Sequence, residues 1–482
     1  MLVTIIRKEI LEHVVSLRFF ILVLLCIVLI PLGFYVNFKN YSTKAQSLSS
    51  LERDYLSALE ESKKGGRYIA GVQGFRKTPP LNALISGYED SLPNSFSISK
   101  EEIEWRGGEN RNEIIAPLFG HLDLLFIINI VITLMALLMS FDSIVGEKEK
   151  GTLRLTLSNS SSRSTIILGK LLGGYITILI PYILSVLIGI LILLIFGYPL
   201  FDRGILFPFI GIIISSFIQI TLILHLGMFI SSRTHSSLSA FTFLLFIWVI
   251  LFLGIPRLSG IISKVIYPVK DEIVFKREKE SVRREIEKEK GAKLVEALER
   301  ENMIGKEGMI GGGRDWWNKY RKLRKPIVKI FEEKIANSLL KLQSDYDRRM
   351  TNQQILAVII SRISPASCFA YLLSDLAGTG PGEREKFFQS VRTYQNLIEQ
   401  KFWSKTWQDQ MTVKRGKESM NFGFGGSDED IPRIYELPLF SYSSITIGDA
   451  IKKRAVDLAI LIIYTAIFFV VTYYSFIKYD VR

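Results

Sequence analysis

A short charged loop between two long apolar segments holds the residue types most suited to binding a partner. It covers residues 141–158, and its acidic and basic side chains alternate over residues 147–150. Gly151 then permits a sharp turn, and Leu153 and Leu157 could fill a groove on a partner, while the charges would set register and orientation. We therefore predict that the loop docks on a soluble protein; the alternative is that its charges are merely solvated.

Motifs for nucleotide, metal or nucleophile chemistry are missing from the rest of the sequence. No phosphate-cradling Gly-x-x-x-x-Gly-Lys-Ser/Thr element occurs. The four histidines are scattered without the spacing of zinc ligands, and no serine stands in a Gly-x-Ser-x-Gly turn. The chain is therefore predicted to be no enzyme, to hold no metal and to need no cofactor of its own.

The composition argues against a purely soluble protein and against nucleic-acid binding. The chain has 482 residues, of which 48% are hydrophobic, and several apolar runs approach the ~20 residues that cross a bilayer as helix. The formal net charge is +13, but the basic residues are interleaved with glutamates rather than gathered into one patch. Basic residues that flank apolar runs instead follow the positive-inside bias of membrane proteins.

The apolar runs predict an all-α polytopic membrane protein with six membrane-spanning helices and an N-terminal interfacial helix. A large helical extracytoplasmic insertion is predicted between the fifth and sixth spans. The predicted spans are residues 19–36, 118–139, 166–196, 207–230, 238–253 and 455–477. The predicted divisions are an interfacial amphipathic helix (1–18), the first span (19–36), an extracytoplasmic loop domain (37–117), spans two to five with the docking loop at 141–165 (118–255), an extracytoplasmic helical domain (256–454), and the sixth span with a cytoplasmic tail (455–482).

A few polar side chains lie within the predicted spans. Such groups are costly in hydrocarbon and face protein or water. They could cap a helix, bond between helices or contact a transported solute. The candidates for a transport pathway are Asp123, Asn129, Gln219 and His225.

The loop sequence resembles the first cytoplasmic loop of type 2 ABC-transporter permeases. That pattern is roughly Asp-x-Ile-x-Gly-Glu-(Lys/Arg)-Glu-x-Gly-Thr-Leu, followed by Leu, Arg and Gly-Lys, and it matches residues 142–153, Arg163 and Gly169-Lys170. Outer segments, including 361–376, look like the branch known for copper-enzyme maturation.

The resemblance implies a membrane subunit that a separate ABC ATPase drives, with ATP and Mg²⁺ bound by that ATPase. By position, the docking residues would be Glu147, Glu149, Gly151, Thr152, Leu153 and Arg163. It also implies a second permease copy, as a homodimer or a paralogous heterodimer, and the plasma membrane of a prokaryote. The basic N-terminus and the six spans predict that both termini are cytoplasmic. Family membership does not identify the substrate.

Three functions fit these features. The first is the permease subunit of an ABC exporter. The second is a transducing scaffold that uses ATP-driven motion to act on an extracytoplasmic partner without moving cargo. The third is a free-standing membrane receptor or channel, which would have no ATPase partner. Nucleic acid is not expected as a partner in any of them.

Overall fold

The computed structural model describes residues 2–65, 72–98, 103–108, 122–158, 162–305, 308–309, 313–398 and 438–478. Among them, six helices are long and apolar enough to cross a bilayer. In chain order these first to sixth spans are Leu17–Glu61, Leu124–Glu149, Arg163–Ile195, Arg203–Arg233, Ser237–Ile266 and Ile447–Ile477. The predicted all-α polytopic membrane protein with six spans is therefore confirmed, whereas the extracytoplasmic position of the insertion stays a prediction.

The helix of the first span is much longer than its apolar run. It extends without a break over Leu17–Gly65, 49 residues in all, whereas the sequence predicted a span ending at residue 36. Residues 37–64 contain no glycine or proline, so nothing in the polar continuation ends the helix. The helix therefore projects roughly 40 Å beyond its apolar part.

The other five spans also begin or end outside the predicted limits; the second, for example, continues to Glu149 rather than residue 139. The fifth continues to Ile266 rather than residue 253, and the sixth begins at Ile447 rather than residue 455. In both cases the added turns are amphipathic or charged, so a hydropathy pattern does not count them as membrane helix. The predicted start of the second span, residue 118, lies outside the described residues.

The second and fifth spans each contain one π-helical segment, at Ile127–Ile132 and Val249–Gly254. Both segments contact the start of a short helix, Pro365–Leu376, whose twelve residues are all buried. Asn129 in the second span donates to the carbonyl of Ala366 at 3.2 Å, and Ser364 donates to the carbonyl of Leu251 in the fifth. We call Pro365–Leu376 the buried helix.

A small antiparallel sheet, which the sequence did not predict, follows the first span. Its strands are β1 (Val72–Phe75), β2 (Ser95–Ile98) and β3 (Ile103–Arg106), in the order β1-β2-β3. The sheet packs on helix Pro381–Ile398. Gly74 of β1 is required, because a Cβ there would lie 2.3 Å from the ring of Phe96.

Residues 259–359 form a separate compact unit. It contains the helix Glu272–Arg300, the two-residue strands β4 (Ile304–Gly305) and β5 (Gly308–Met309), and most of the helix Arg314–Ser361. The ring of Phe275 stacks on that of Tyr346 at 4.0 Å, and Glu301 pairs with Lys319 at 2.7 Å. These contacts join the two helices side by side in opposite directions.

Candidate functional site

The predicted docking loop folds into two short helices, Val145–Glu149 and Thr152–Ser158. Gly151 lies between them with φ at +72° and no atom within 4 Å of the position a Cβ would take. Residues with side chains rarely adopt this left-handed conformation, so the glycine sets the turn between the helices. We call residues 141–165 the docking loop, of which 159–161 lie outside the described residues, and the end of the bundle where it lies the loop end.

A network of charges, three of them buried, joins the docking loop to two other elements. The carboxylate of Glu147 lies 2.7 Å from the ammonium of Lys8, in the N-terminal helix Leu2–Val14, and 3.0 Å from that of Lys170, in the third span. Lys170 also contacts Glu9 at 2.7 Å and donates to the carbonyl of Ser143 at 2.9 Å. The Lys170 and Glu9 side chains are 2% and 4% exposed, so water contributes little to stabilising either charge. We call Lys8, Glu9, Glu147 and Lys170 the charge network.

Two glycines in the third span allow this approach. A Cβ on Gly169 would lie 2.6 Å from Ile5, and one on Gly173 would lie 2.6 Å from the side chain of Glu9. Small residues at this spacing let two helices meet closely. The two glycines therefore allow Glu9 to lie beside Lys170.

The charge network is balanced without a metal ion. The carboxylates of Glu9, Glu12 and Glu147 lie close enough to one another to hold a cation, but the ammonium groups of Lys8 and Lys170 already lie among them. Burial of Lys8 opposes its charged form, yet the hydrogen bond to Glu147 and the negative charges of Glu147, Glu12 and Glu9 together outweigh burial and raise the pKa of the Lys8 side chain. The cluster is therefore a set of ion pairs.

The first and fourth spans are also tied to the docking loop. Arg18 of the first span donates to Asp142 at 2.7 Å, and its guanidinium lies 4.6 Å from the ring centroid of Phe141. The hydroxyl of Ser231, near the end of the fourth span, accepts hydrogen bonds from the backbone nitrogens of Ile144 and Val145 at 3.1 and 3.0 Å. Both contacts hold the beginning of the loop against the bundle.

The fifth and sixth spans contact the loop through helix ends. Glu149 accepts a hydrogen bond from the backbone nitrogen of Ser237, at the start of the fifth span, at 2.9 Å. Arg163 donates to the carbonyl of Ile477, at the end of the sixth. Negative charge at a helix start and positive charge at a helix end both suit the helix dipole. The docking loop thus contacts all the other five spans.

The structure divides the predicted docking residues into three pairs. Glu147 and Leu153 are buried within the chain, and Leu153 packs in an apolar cluster with Ile166 and Met228. Gly151 and Thr152 are exposed, Glu149 and Arg163 bond to the neighbouring spans, and the contact of all six residues with a partner stays a prediction.

Sequence reasoning missed two features of this site. One is Leu155, which is 69% exposed on the short helix beside the exposed Arg154. The other is the pairing of Lys170 with two carboxylates, for which the sequence showed only a lone charge near the start of an apolar segment. An isolated charge in such a segment needs a partner, but the sequence does not identify Glu9 and Glu147 as its partners.

Of the four pathway candidates, the structure brings two together. Gln219 donates to the side-chain oxygen of Asn129 at 3.3 Å, and both residues are fully buried. Asp123 instead caps the second span, accepting from the backbone nitrogens of Phe126 at 2.8 Å and Ser86 at 2.9 Å.

The fourth candidate, His225, lines a different feature. It borders an apolar groove of about 490 Å³ together with Tyr175, Phe217 and Phe469. The groove lies between the third, fourth and sixth spans. Contact between these four candidates and a transported solute stays a prediction.

Six spans, with a short loop that contacts all of them, define a multi-pass membrane protein in which motion of the loop would reach the whole bundle. The chain belongs to the ABC-2 transporter family, because the family described as ABC-2 family transporter protein matches residues 3–481. It is accordingly an ABC permease; such permeases are generally non-catalytic membrane subunits that work with ATPase subunits. No curated protein matches the chain.

Replacing Lys170 with methionine should destabilise the protein. The change leaves Glu9 and Glu147 buried with one fewer positive partner, and breaking a buried ion pair in this way costs about 3–5 kcal/mol. The free energy of unfolding in mild detergent measures the effect. The matched control is Lys150→Met, at an exposed position of the same loop, which should change stability by less than about 0.5 kcal/mol. Equal stability of the two variants would contradict the assigned role of the charge network.

Proposed function

We propose that this chain is the transmembrane permease subunit of an ABC exporter and that a separate ATPase subunit drives it. The proposal is based on the docking loop, because this loop bonds to all the other spans while part of its surface is exposed. A force applied to such a loop would be transmitted through short, charge-assisted bonds rather than through flexible chain. The transported substrate is unknown.

In this proposal the ATPase contacts the exposed face of the docking loop. That face includes Gly151, Thr152, Arg154 and Leu155. An exposed leucine beside an arginine suits an interface in which an apolar side chain enters a pocket and a charge sets orientation. Glu147, Leu153 and Arg163 would then hold the face in place instead of touching the partner. ATP and Mg²⁺ would bind to the ATPase.

We further propose that two copies of the permease, or this chain and a paralogue, assemble with two ATPase subunits. The most apolar parts of the fifth and sixth spans are only 22% and 17% buried within one chain. Such faces contact lipid or a second permease copy. The proposed location is the plasma membrane of a prokaryote with both termini cytoplasmic, because basic residues such as Lys8, Arg18 and Lys150 lie at the loop end.

Two other functions remain as alternatives. A transducing scaffold would use the same ATPase contact to act on an extracytoplasmic partner, and the long helices of residues 259–359 would suit that role. Only an exporter moves a solute across vesicles in an ATP-dependent way, so a transport assay separates these two functions. A free-standing receptor or channel would have no ATPase partner.

Replacing Leu155 with aspartate should weaken association with the ATPase. A charge in the pocket that would hold the leucine opposes binding, and we expect recovery of co-purified ATPase to fall on the order of tenfold or more. Leu155 is preferable to Glu147 as a target, since a Glu147 variant would also disturb the charge network.

The matched control is Leu340→Asp, because Leu340 is 66% exposed, close to the 69% of Leu155, but lies in the unit of residues 259–359. This variant should retain the ATPase. If Leu155→Asp also retained it in full, the proposed contact face would be wrong.

The membrane orientation can be tested with single accessible thiols. The native Cys26 and Cys368 are 1% and 0% exposed, so a membrane-impermeant maleimide should react mainly with an introduced cysteine. In inside-out vesicles from which the ATPase has been removed, a Leu155→Cys variant should be labelled, whereas in spheroplasts it should not; Leu340→Cys should show the opposite pattern. Labelling of Leu155→Cys in intact spheroplasts would exclude a cytoplasmic docking loop.

A further inference from the structure

One segment of the unit of residues 259–359 carries only basic charges, between Asp315 and Glu332. Residues 316–331, near the start of helix Arg314–Ser361, include six basic residues and no acidic one. Lys319 pairs with Glu301. In the described part of the chain, the other five show no ion pair with a carboxylate, and all five are exposed. They are Arg321, Lys322, Arg324, Lys325 and Lys329.

The neighbouring helix of the same unit shows the opposite arrangement. In Glu272–Arg300 several basic side chains have acidic partners one turn away: Lys276 lies 3.1 Å from Glu272, and Arg300 lies 2.6 Å from Glu296. Such pairs modestly stabilise a helix. Mixed charge is therefore the ordinary surface of this unit, and the basic segment departs from it.

The unpaired charges form a row on one side of their helix. Arg321, Lys325 and Lys329 follow one another at intervals of four residues, which places them one above the next. Phe331 is buried and Ile327 is half-buried, so the apolar side of this segment faces inward. Like charges at this spacing destabilise a helix, so helix stability does not explain the row.

An exposed aromatic ring extends the row. Trp317 stands four residues before Arg321 and is 50% exposed. Its ring lies 5.0 Å from that of Trp316 and 5.8 Å from that of Tyr320, so this indole is held by neighbouring aromatic groups. Trp317, Arg321, Lys325 and Lys329 span about 18 Å along the helix. We call these four residues the basic row.

We propose that the basic row binds the surface of a bilayer that contains anionic phospholipids. Its positive charges have no acidic residue among them, which suits a surface of one sign better than a protein with charges of both signs. Tryptophan prefers the headgroup level of a membrane, and basic side chains beside it contact lipid phosphates. This binding is independent of the proposed ATPase contact.

Full-length protein in discs of phosphatidylcholine, which has no net charge, tests the proposal. The discs are mixed with vesicles of phosphatidylcholine alone or with added phosphatidylglycerol, and bound protein is measured by flotation. Wild type should bind the phosphatidylglycerol vesicles preferentially, and salt should weaken the binding. Because each basic residue near an anionic surface contributes about fivefold, the triple variant Arg321→Gln, Lys325→Gln, Lys329→Gln should bind on the order of 100-fold more weakly.

The matched control removes the same number of positive charges from paired positions. Lys276→Gln, Arg284→Gln and Arg300→Gln lie on helix Glu272–Arg300, and glutamine preserves helix propensity in both triple variants. The control should retain most of the vesicle binding. An equal loss in the two triple variants would show that net charge alone acts and would overturn the proposal.

Two further results would also overturn it. One is equal binding of wild type to both kinds of vesicle. The other is binding of inorganic polyphosphate or an acidic protein to the basic row without vesicle binding, which would assign the surface to a soluble polyanion.

A Trp317→Ala variant should reduce vesicle binding even at high salt, because the contribution of the indole is not a charge effect. Inorganic phosphate at the lipid concentration should not compete.

Discussion

The arrangement at the loop end depends on one set of buried charges, the contacts of Lys170 with Glu9 and Glu147. Moving charges out of water is strongly unfavourable, and only close opposite charges with good geometry offset that penalty. Once Lys170 is buried, the N-terminal helix and the docking loop must supply its carboxylates. The glycines at 169 and 173 are required for the same reason, since larger residues would separate Glu9 from Lys170.

The opposite end of the bundle is also held by charged and polar contacts. Arg362 contacts Asp457 of the sixth span through two hydrogen bonds at 2.7 and 3.1 Å. Arg454, also in the sixth span, contacts Asp457 and, in the buried helix, Asp375. Between the two ends, apart from pairs such as Asn129 with Gln219, the spans contact one another mainly through apolar side chains. Apolar contacts are less directional than ion pairs, so motion of the docking loop would be accommodated most readily in this middle region. The π-helical segments beside the buried helix are further candidates for such adjustment.

The sequence predicted the number and order of the spans, because apolar runs of membrane length are a strong signal. It did not predict how far the helices continue, since the polar residues after 36 in the first span carry no membrane signal but remain helical. The sheet was missed because β1, β2 and β3 have only four residues each, too few for a clear alternation. The alternation of acidic and basic residues over 147–150 could not show that Glu147 faces inward and Glu149 outward. The burial of Glu147 depends on Lys8 and Lys170, which are distant in sequence. Family membership was recognisable from the loop motif, whereas the substrate depends on details that the motif does not encode.

The central claim is that the docking loop of this permease is the place where a separate ATPase acts. The most direct test is the mass of the intact complex, purified from its native membrane in mild detergent and measured by native mass spectrometry. We expect a particle with two permease chains and two ATPase chains, and the identity of the ATPase would follow from peptide sequencing. A permease recovered at full yield without any ATPase, as a single chain or a pair, would contradict the proposed function and favour a free-standing receptor or channel.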